Sequence, residues 1–442
     1  MTSLLQLVPG LPGLDETVEY IQGKNKVTAS ALLRNAEGKG AFLSQPRCGV
    51  GGHAAMIELL NSIDLMAEPD ILTLTVDSYT RLLKLQDAER VLREQPTRLN
   101  GYPVIAHGYL RIRELNEMFP KPIQVRHGSP DGRALFAVSV AGGITSYEGA
   151  GIGYNLPYCK RVPLKTSLDA WREVDEFAGC LYQRFGIEIE REFFGTLSAV
   201  LVPPAVSLSV LFLEARLAAN AGCPVLTLAY PQSGSIVQDV AALAVIRKLA
   251  ERYLPASSKA YPALHQFMGV FPRDRQKAES IIFLGGLTAR LGRATKVITK
   301  TYQEAIGVPT AQANAAGIKQ TQLTLSSYFS ALTLDESAVN EEAYWIERET
   351  RELLDDIIDS DRLADLIPER FSRGLLDIPF PSNPEAKGNV IPIRDGRGAV
   401  RFAKTGNLPF SSKVIRRNNA MIESVDLRSL HQRVRDSILY FA

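Results

Sequence analysis

Three arginines stand at recurring places in this sequence. Arg47, Arg81 and Arg126 each fall at or just after the end of a β-branched run, as do Asp77, His107, His127, Glu148 and Lys300. A guanidinium is a planar fork of N–H donors that grips a carboxylate bidentately and stays charged at any working pH. Three such forks around one mouth suit a dicarboxylic acid. Glu148 lies in ITSYEGAGIGYNLPYCK, residues 144–160, a glycine-dense loop with three tyrosines. Buried there, its carboxylate is costly without a cation. A ligand ammonium would supply one, with Tyr154 and Tyr158 contacting the ligand's polar ends. Three arginines less one glutamate leave two positive charges, and an α-amino dicarboxylate carries one net negative charge, so the set fits an acidic amino acid. The bland readings are surface or ion-pair arginines and tyrosines packed for area, and recurrence at strand ends weakens the first of these. His127 follows Arg126 directly. Because successive strand residues face opposite ways, both reach one ligand only if the strand has ended there.

These positions need a scaffold. From about residue 40 to 325, short apolar runs alternate with amphipathic stretches, the pattern of repeated β-α units. The candidate strands are AFLSQPR, ILTLTVD, PVIAHG, IQVRHG, GGITSYEG, SAVLVPP, VLTLAYP, ALHQFMGVF and ATKVITK. That is one more than a TIM (β/α)8 barrel needs, so one, such as PVIAHG, is expected outside the barrel. Polar residues at strand ends fit such a barrel, whose βα loops converge above its carboxyl face. The expected division is an N-terminal segment 1–39, a barrel 40–330 and a C-terminal α+β segment 331–442. In the last, EEAYWIERETRELLDDIIDS reads as a charged helix and VIPIRDGRGAVRF as a hairpin around Asp395-Gly396.

Composition removes several classes. Lys plus Arg number 50 against 48 Asp plus Glu, with no long block of like charge, which argues against nucleic acid or an anionic membrane as partner. The four cysteines form no C-x-x-C and suit a reducing cytoplasm. The N-terminus lacks the basic flank and apolar run of a signal peptide. The most apolar stretch, LSAVLVPPAVSLSVLFLEA, is broken by Pro203 and Pro204 and closed by Glu214, so a buried strand entering a helix is expected rather than a membrane span. No H-E-x-x-H, G-x-S-x-G or Walker motif occurs, and no protein-bound metal is expected. One competing motif is GVGGHA, residues 49–54, which resembles a dinucleotide turn and leaves an NAD(P)-dependent oxidoreductase open.

In order along the chain, SQPRCGVG, TVDSYTR, LNGYP, QVRHGSPD, AGGITSYEGAGIGYNLPYCK, LVPP, HQFMGVFP, ATKVITKTYQEAIGVPTAQANAAGIK and DIPF resemble the large, catalytic epsilon subunit of glutamate mutase (methylaspartate mutase). The resemblance runs from about residue 40 past residue 410. It implies a TIM-barrel isomerase subunit that uses adenosylcobalamin in a radical rearrangement between L-glutamate and threo-3-methyl-L-aspartate. It implies Arg47, Arg81 and Arg126 on the substrate carboxylates, Glu148 at the amino group, and His127, Tyr154 and Tyr158 around the same substrate. Lys300 and Glu304 resemble the pair that holds the adenosyl ribose, while Gly49, Asn100, Pro157, Phe271 and Val308 match further cofactor positions. The chain departs from the family pattern at Ile144, Tyr147 and Tyr302-Gln303.

The implied partner is a small cobalamin-binding subunit carrying D-x-H-x-x-G, with a homodimer of this chain inside a heterotetramer. This chain lacks that motif: the residues two before His53, His107, His127, His265 and His431 are Gly51, Ile105, Val125, Ala263 and Ser429. A catalytically idle amino-acid-binding relative is the other alternative.

Overall fold

The computed structural model describes residues 3–196, 200–422 and 428–442. Eight parallel strands among these residues curl into a barrel: β1 Leu43–Gln45, β2 Leu72–Thr75, β3 Ile123–Arg126, β4 Ser146–Glu148, β5 Glu190–Phe193, β6 Val225–Pro231, β7 Lys259–His265 and β8 Lys296–Ile298. From β2 to β8 each strand pairs with the next, and β8 pairs with β1. Backbone bonds cross the remaining seam, from Asp70 N to Ser44 O at 3.0 Å and from Thr75 N to Cys48 O at 2.9 Å. The expected TIM barrel is present. A closed barrel offers no switch point where strand order reverses, so GVGGHA lacks the setting in which such a turn holds a dinucleotide.

The barrel's outward strand residues, such as Leu74, Val125, Leu226, Leu264 and Val297, are buried beneath helices. Those helices include His53–Ala67, Leu164–Phe185, Pro204–Asn220, Ile236–Tyr253, Arg275–Leu291 and Ala311–Leu323. The helix Glu336–Leu354 packs on Ile236–Tyr253 and Pro204–Asn220. After it come β9 Ile391–Arg394 and β10 Val400–Lys404, an antiparallel pair. Asp395 turns that hairpin as expected, its Oδ1 accepting from Arg397 N at 2.8 Å and Ala399 N at 3.1 Å. No helix among the described residues is long and apolar enough to cross a membrane.

Two strand expectations change. PVIAHG lies outside the sheet, as allowed, and opens the helix Val104–Met118. SAVLVPP is not a strand where it is described: residues 197–199 lie outside the described residues, 200–203 form no ladder, and Pro204 starts a helix. The missing strand is β5, inside IEIEREFF. Its charges hid it, because Glu190, Arg191 and Glu192 are all fully buried.

Strand alternation explains how. Thr73 sits opposite Gln124, Ser146 opposite Glu190, Glu148 opposite Glu192, and Ala263 opposite Lys296. Each pair shares the face turned into the barrel. Branched apolar residues usually fill that space. Here the inward rows are polar.

Candidate active site

The lower inward row is a paired ionic layer. Lys296 Nζ lies 2.8 Å from Glu190 Oε1 and 2.5 Å from Glu192 Oε2. Gln124 Nε2 donates to Glu190 at 2.9 Å and to Glu192 at 3.1 Å, while its Oε1 accepts from Gln45 Nε2 at 2.6 Å. Ser146 and Thr227 hydroxyls complete Glu190. Arg126 reaches down into this layer, its Nη1 donating to Gln124 at 2.8 Å and pairing with Glu192 at 2.5 Å. Burial alone would raise the Glu192 carboxyl, but Arg126 and Lys296 outweigh it and hold the group at about 2.

One row higher, toward the carboxyl ends of the strands, the groups lack such partners. Arg126 Nε is buried with no hydrogen bond among the described residues. β3 ends at Arg126, and His127 takes φ 69°, an uncommon left-handed conformation that swings its side chain onto the same side. The condition for both residues to share a ligand is met.

Arg47 Nε donates to His127 Nε2 at 3.1 Å, so that nitrogen carries no proton and Nδ1 does. Nδ1–H then donates to Tyr154 Oη at 3.0 Å, and the tyrosine hydroxyl donates to Glu148 at 2.6–2.7 Å. Glu148 Oε2 also accepts from His127 N at 2.7 Å. Burial, then Arg47, Arg81 and Arg126, push His127 well below its ordinary value, so the imidazole is neutral. Burial raises Glu148, with Arg126 opposing. The carboxylate is fully buried, and among the described residues no lysine or arginine stands within 4 Å of it.

Arg81 rides on the short helix Ser78–Arg81, which Asp77 caps by accepting from Tyr79 N at 2.9 Å and Thr80 N at 3.1 Å. Its Nε is buried without a partner, and burial lowers the guanidinium, with Arg47 repelling and Tyr154 and Tyr158 attracting it. Beyond the end of β8, Lys300 pairs with Glu304, and Arg47 lies 3.9 Å from the same carboxylate. Burial presses Lys300 down to about 8. The Phe271 ring lies 5.9 Å from the Lys300 ammonium.

The loop after β4 is held from outside the barrel. Glu214 Oε1 accepts from Ile152 N and Gly153 N, each at 2.8 Å. Arg191 donates to Tyr147 O at 3.1 Å and Gly149 O at 2.9 Å. Asn383, in the C-terminal segment, donates to Asn155 Oδ1 at 2.6 Å. Gly149 must be glycine: at φ 150° a Cβ would meet the Trp171 ring at 2.5 Å and Gly128 Cα at 2.9 Å. The loops after β3 and β4 therefore touch, bringing His127 and Glu148 together.

The structure thus gathers Arg47, Arg81, Arg126, His127, Glu148, Tyr154 and the half-exposed Tyr158, with Lys300, Glu304 and Phe271 beside them. Tyr147, where the chain departs from its pattern, faces outward against Phe136, ring centroids 5.0 Å apart. His107 is not part of the group; its Nε2 donates to Gly51 O, 2.7 Å away. Asn100 Oδ1 accepts from Ser78 N at 2.9 Å and so steadies the helix bearing Arg81. Gly49 has a packing role of its own, since a Cβ would strike Thr75 O at 2.5 Å. Gly51 is likewise pressed on Pro96 O, which would meet a Cβ at 2.2 Å, so this glycine serves close packing of the chain on itself. Pro157 is buried in the loop and Val308 is half exposed. Sequence reasoning missed Glu190, Glu192, Gln124, Lys296, Glu214 and His265. The alternation of Glu190 and Glu192 was the available signal, obscured because ionic strands are rare in barrel interiors.

Residues 24–434 match the family described as methylaspartate mutase E chain (MutE). The chain is 42% identical over 401 residues to a glutamate mutase epsilon subunit from Halobacterium salinarum, covering 89% of this chain and 83% of that protein. It is 41% identical over 399 residues to the namesake from Desulfitobacterium hafniense, covering 87% and 81%. It is 38% identical over 413 residues to the one from Escherichia coli O157:H7, covering 91% and 85%.

Proposed function

The chain belongs to the methylaspartate mutase E chain family, and we propose that it is the substrate-holding subunit of an adenosylcobalamin-dependent glutamate mutase, interconverting L-glutamate and threo-3-methyl-L-aspartate. Glu148 carries this reading. Among the described residues it is a buried carboxylate with no lysine or arginine within 4 Å, in the same group as Arg81 and Arg126, whose Nε atoms also lack partners there. With Arg126 offset by Glu192, the charges of Arg47 and Arg81 less that of Glu148 leave one positive charge. An α-amino dicarboxylate supplies the matching negative one, its ammonium at Glu148 and its carboxylates on the guanidinium forks.

The residues present fit the cofactor at one end. Lys300 and Glu304, beside Phe271, offer a buried donor and acceptor suited to ribose hydroxyls. When bound, adenosylcobalamin supplies the organic radical that starts the carbon-skeleton rearrangement. The chain's own residues hold the reacting fragments. Arg81 and Arg126 fix one set of carboxylates, Glu148 fixes the amino group, and the neutral His127–Tyr154 pair fixes Glu148. Fragments that separate while each keeps its clamp recombine locally. The closely packed loops after β3 and β4 exclude water and stray hydrogen donors.

The lower face of the corrin has no recognisable holder here, so a small subunit carrying D-x-H-x-x-G is the proposed partner. The test is to mix the chain with such a subunit, adenosylcobalamin and L-glutamate without oxygen and to follow 3-methylaspartate by NMR. Product that needs both proteins is expected. Glutamate binding without product marks an idle relative, and quenching of NAD(P)H fluorescence by the chain would favour the oxidoreductase instead.

A further inference from the structure

We propose that His265 is a ligand-contacting residue of this site, accepting through Nε2 a hydrogen bond from a ribose hydroxyl of the group held by Lys300 and Glu304. The inference rests on the cofactor reading above. His265 closes β7 and sits opposite Pro231 on one side and Ile298 on the other. Ala263, two residues earlier, is opposite Lys296, so Ala263 and His265 share the inward face. The imidazole is 1% exposed and meets Phe194 edge-on, ring centroids 4.9 Å apart.

Its two nitrogens are unequal. Nδ1 lies 2.8 Å from Gln266 O, an acceptor only, so Nδ1 carries the proton. Nε2 is then a bare acceptor, buried and without a partner among the described residues. A buried acceptor without a donor is costly, and a ligand donor removes that cost.

The surroundings choose the donor. Arg126, Lys300 and Arg47 all act on His265, and with burial they keep it neutral. A ligand ammonium would have to enter among these three cations, and Glu148 offers it a carboxylate instead. A hydroxyl brings a donor without charge. Glutamate has no hydroxyl and ribose does. Lys300, whose backbone N–H is held by Gln266 Oε1 at 2.8 Å, places the expected ribose beside the ring.

The experiment uses the chain assembled with its small subunit, titrated with adenosylcobalamin and with its 2′-deoxy and 3′-deoxy forms by anaerobic calorimetry. His265→Asn keeps a donor for Gln266 O but loses the distal acceptor, while His265→Gln can place an amide oxygen near the Nε2 position. About tenfold weaker cofactor binding is expected for His265→Asn, with partial recovery in His265→Gln. The deficit should vanish with one of the deoxy forms, and the KM for glutamate should change little. Equal binding by His265→Asn, the same deficit with both deoxy forms, or a loss confined to glutamate would overturn the assignment. Wild-type protein gives a second readout: the Nε2 resonance of isotope-labelled His265 should move when adenosylcobalamin is added, and an unmoved resonance would also overturn it. A wild-type assembly that binds no adenosylcobalamin would instead sink the cofactor reading, so the two failures are distinguishable.

Discussion

Two polar rows stacked inside one barrel are built differently. In the lower row, Glu190 and Glu192 face Lys296 and Arg126, and the ionic groups are closely hydrogen-bonded, with Gln45 Oε1 the bare atom beside them. In the upper row, among the described residues, Arg81 Nε, Arg126 Nε and His265 Nε2 have no partner, and Glu148 has no lysine or arginine within 4 Å. A protein keeps buried polar atoms unsatisfied at a cost, so the lower row reads as scaffold and the upper row as half of a pairing that a ligand completes.

The contrast predicts opposite stability signs for removal of charge. Glu192→Gln leaves Arg126 and Lys296 with one carboxylate between them, and breaking a buried pair from one side costs about 3–5 kcal/mol. A urea or thermal melt should show that loss. The Glu192 carboxyl is held at about 2, below its ordinary 4.5, so its contribution is present above 4.5 and lost as pH falls through about 2. The variant should lack that part of the acid transition. Arg81→Met removes a largely buried guanidinium whose desolvation cost outweighs its favourable neighbours and whose Nε has no hydrogen bond among the described residues, so the ligand-free protein should melt no lower than wild type. Equal destabilisation by both would erase the distinction between the rows.

Next in size is turnover. Lysine cannot reproduce a guanidinium fork, so Arg81→Lys and Arg126→Lys should lower kcat/KM by about 2–4 kcal/mol in transition-state terms. Arg81→Lys should do so without loss of stability, whereas Arg126→Lys should also disturb the lower row. Near-normal kcat/KM in both would remove the clamp.

A smaller effect separates ligand from scaffold at Glu148. Its carboxyl is raised by burial, so the stability it contributes is present below the ordinary carboxylate value and lost as pH rises through the folded one. Glu148→Gln should therefore leave the ligand-free protein equal or slightly more stable at neutral pH while activity with glutamate falls. Adenosylcobalamin affinity should be nearly unchanged. An equal loss of cofactor affinity would place Glu148 with the cofactor instead.

How much of this was legible follows the same division. Arg47, Arg81, Arg126, Glu148 and Lys300 announced themselves because each is a polar residue ending an apolar run. β5 did not, because Glu190 and Glu192 are charged residues in mid-strand, and burial of such residues depends on partners from β3 and β8 that are remote in sequence. SAVLVPP read as a strand because apolar β-branched runs do not tell a strand from a buried approach to a helix. His265 was hidden for another reason: its value lies in which nitrogen is bare, and only the neighbouring Gln266 carbonyl decides that.

The smallest expected change, taken per pH unit, is in a pH profile with two limbs. Glu214, outside the barrel, is raised by burial to about 8, and Lys300, inside the upper row, is lowered by burial to about 8. For Glu214 the folded value exceeds the ordinary 4.5, so stability falls as pH climbs from 4.5 and its contribution is gone above about 8. For Lys300 the folded value lies below the ordinary 10.5, so stability is lower beneath about 8 and recovers as pH climbs to 10.5. Each limb has a slope of at most about 1.4 kcal/mol per pH unit. Together they make a minimum near pH 8. Because other groups also titrate, the readout is the difference between wild type and variant. Glu214→Gln should remove the falling limb and Lys300→Met the rising one. In the assembled complex, Lys300→Met alone should also flatten the weakening of adenosylcobalamin binding above pH 8, since deprotonation turns the strong, charge-assisted ammonium donor into a weak amine donor. If Glu214→Gln flattened that binding curve instead, the titrating group would lie in the outer support of the loop and not among the ligand contacts of the upper row.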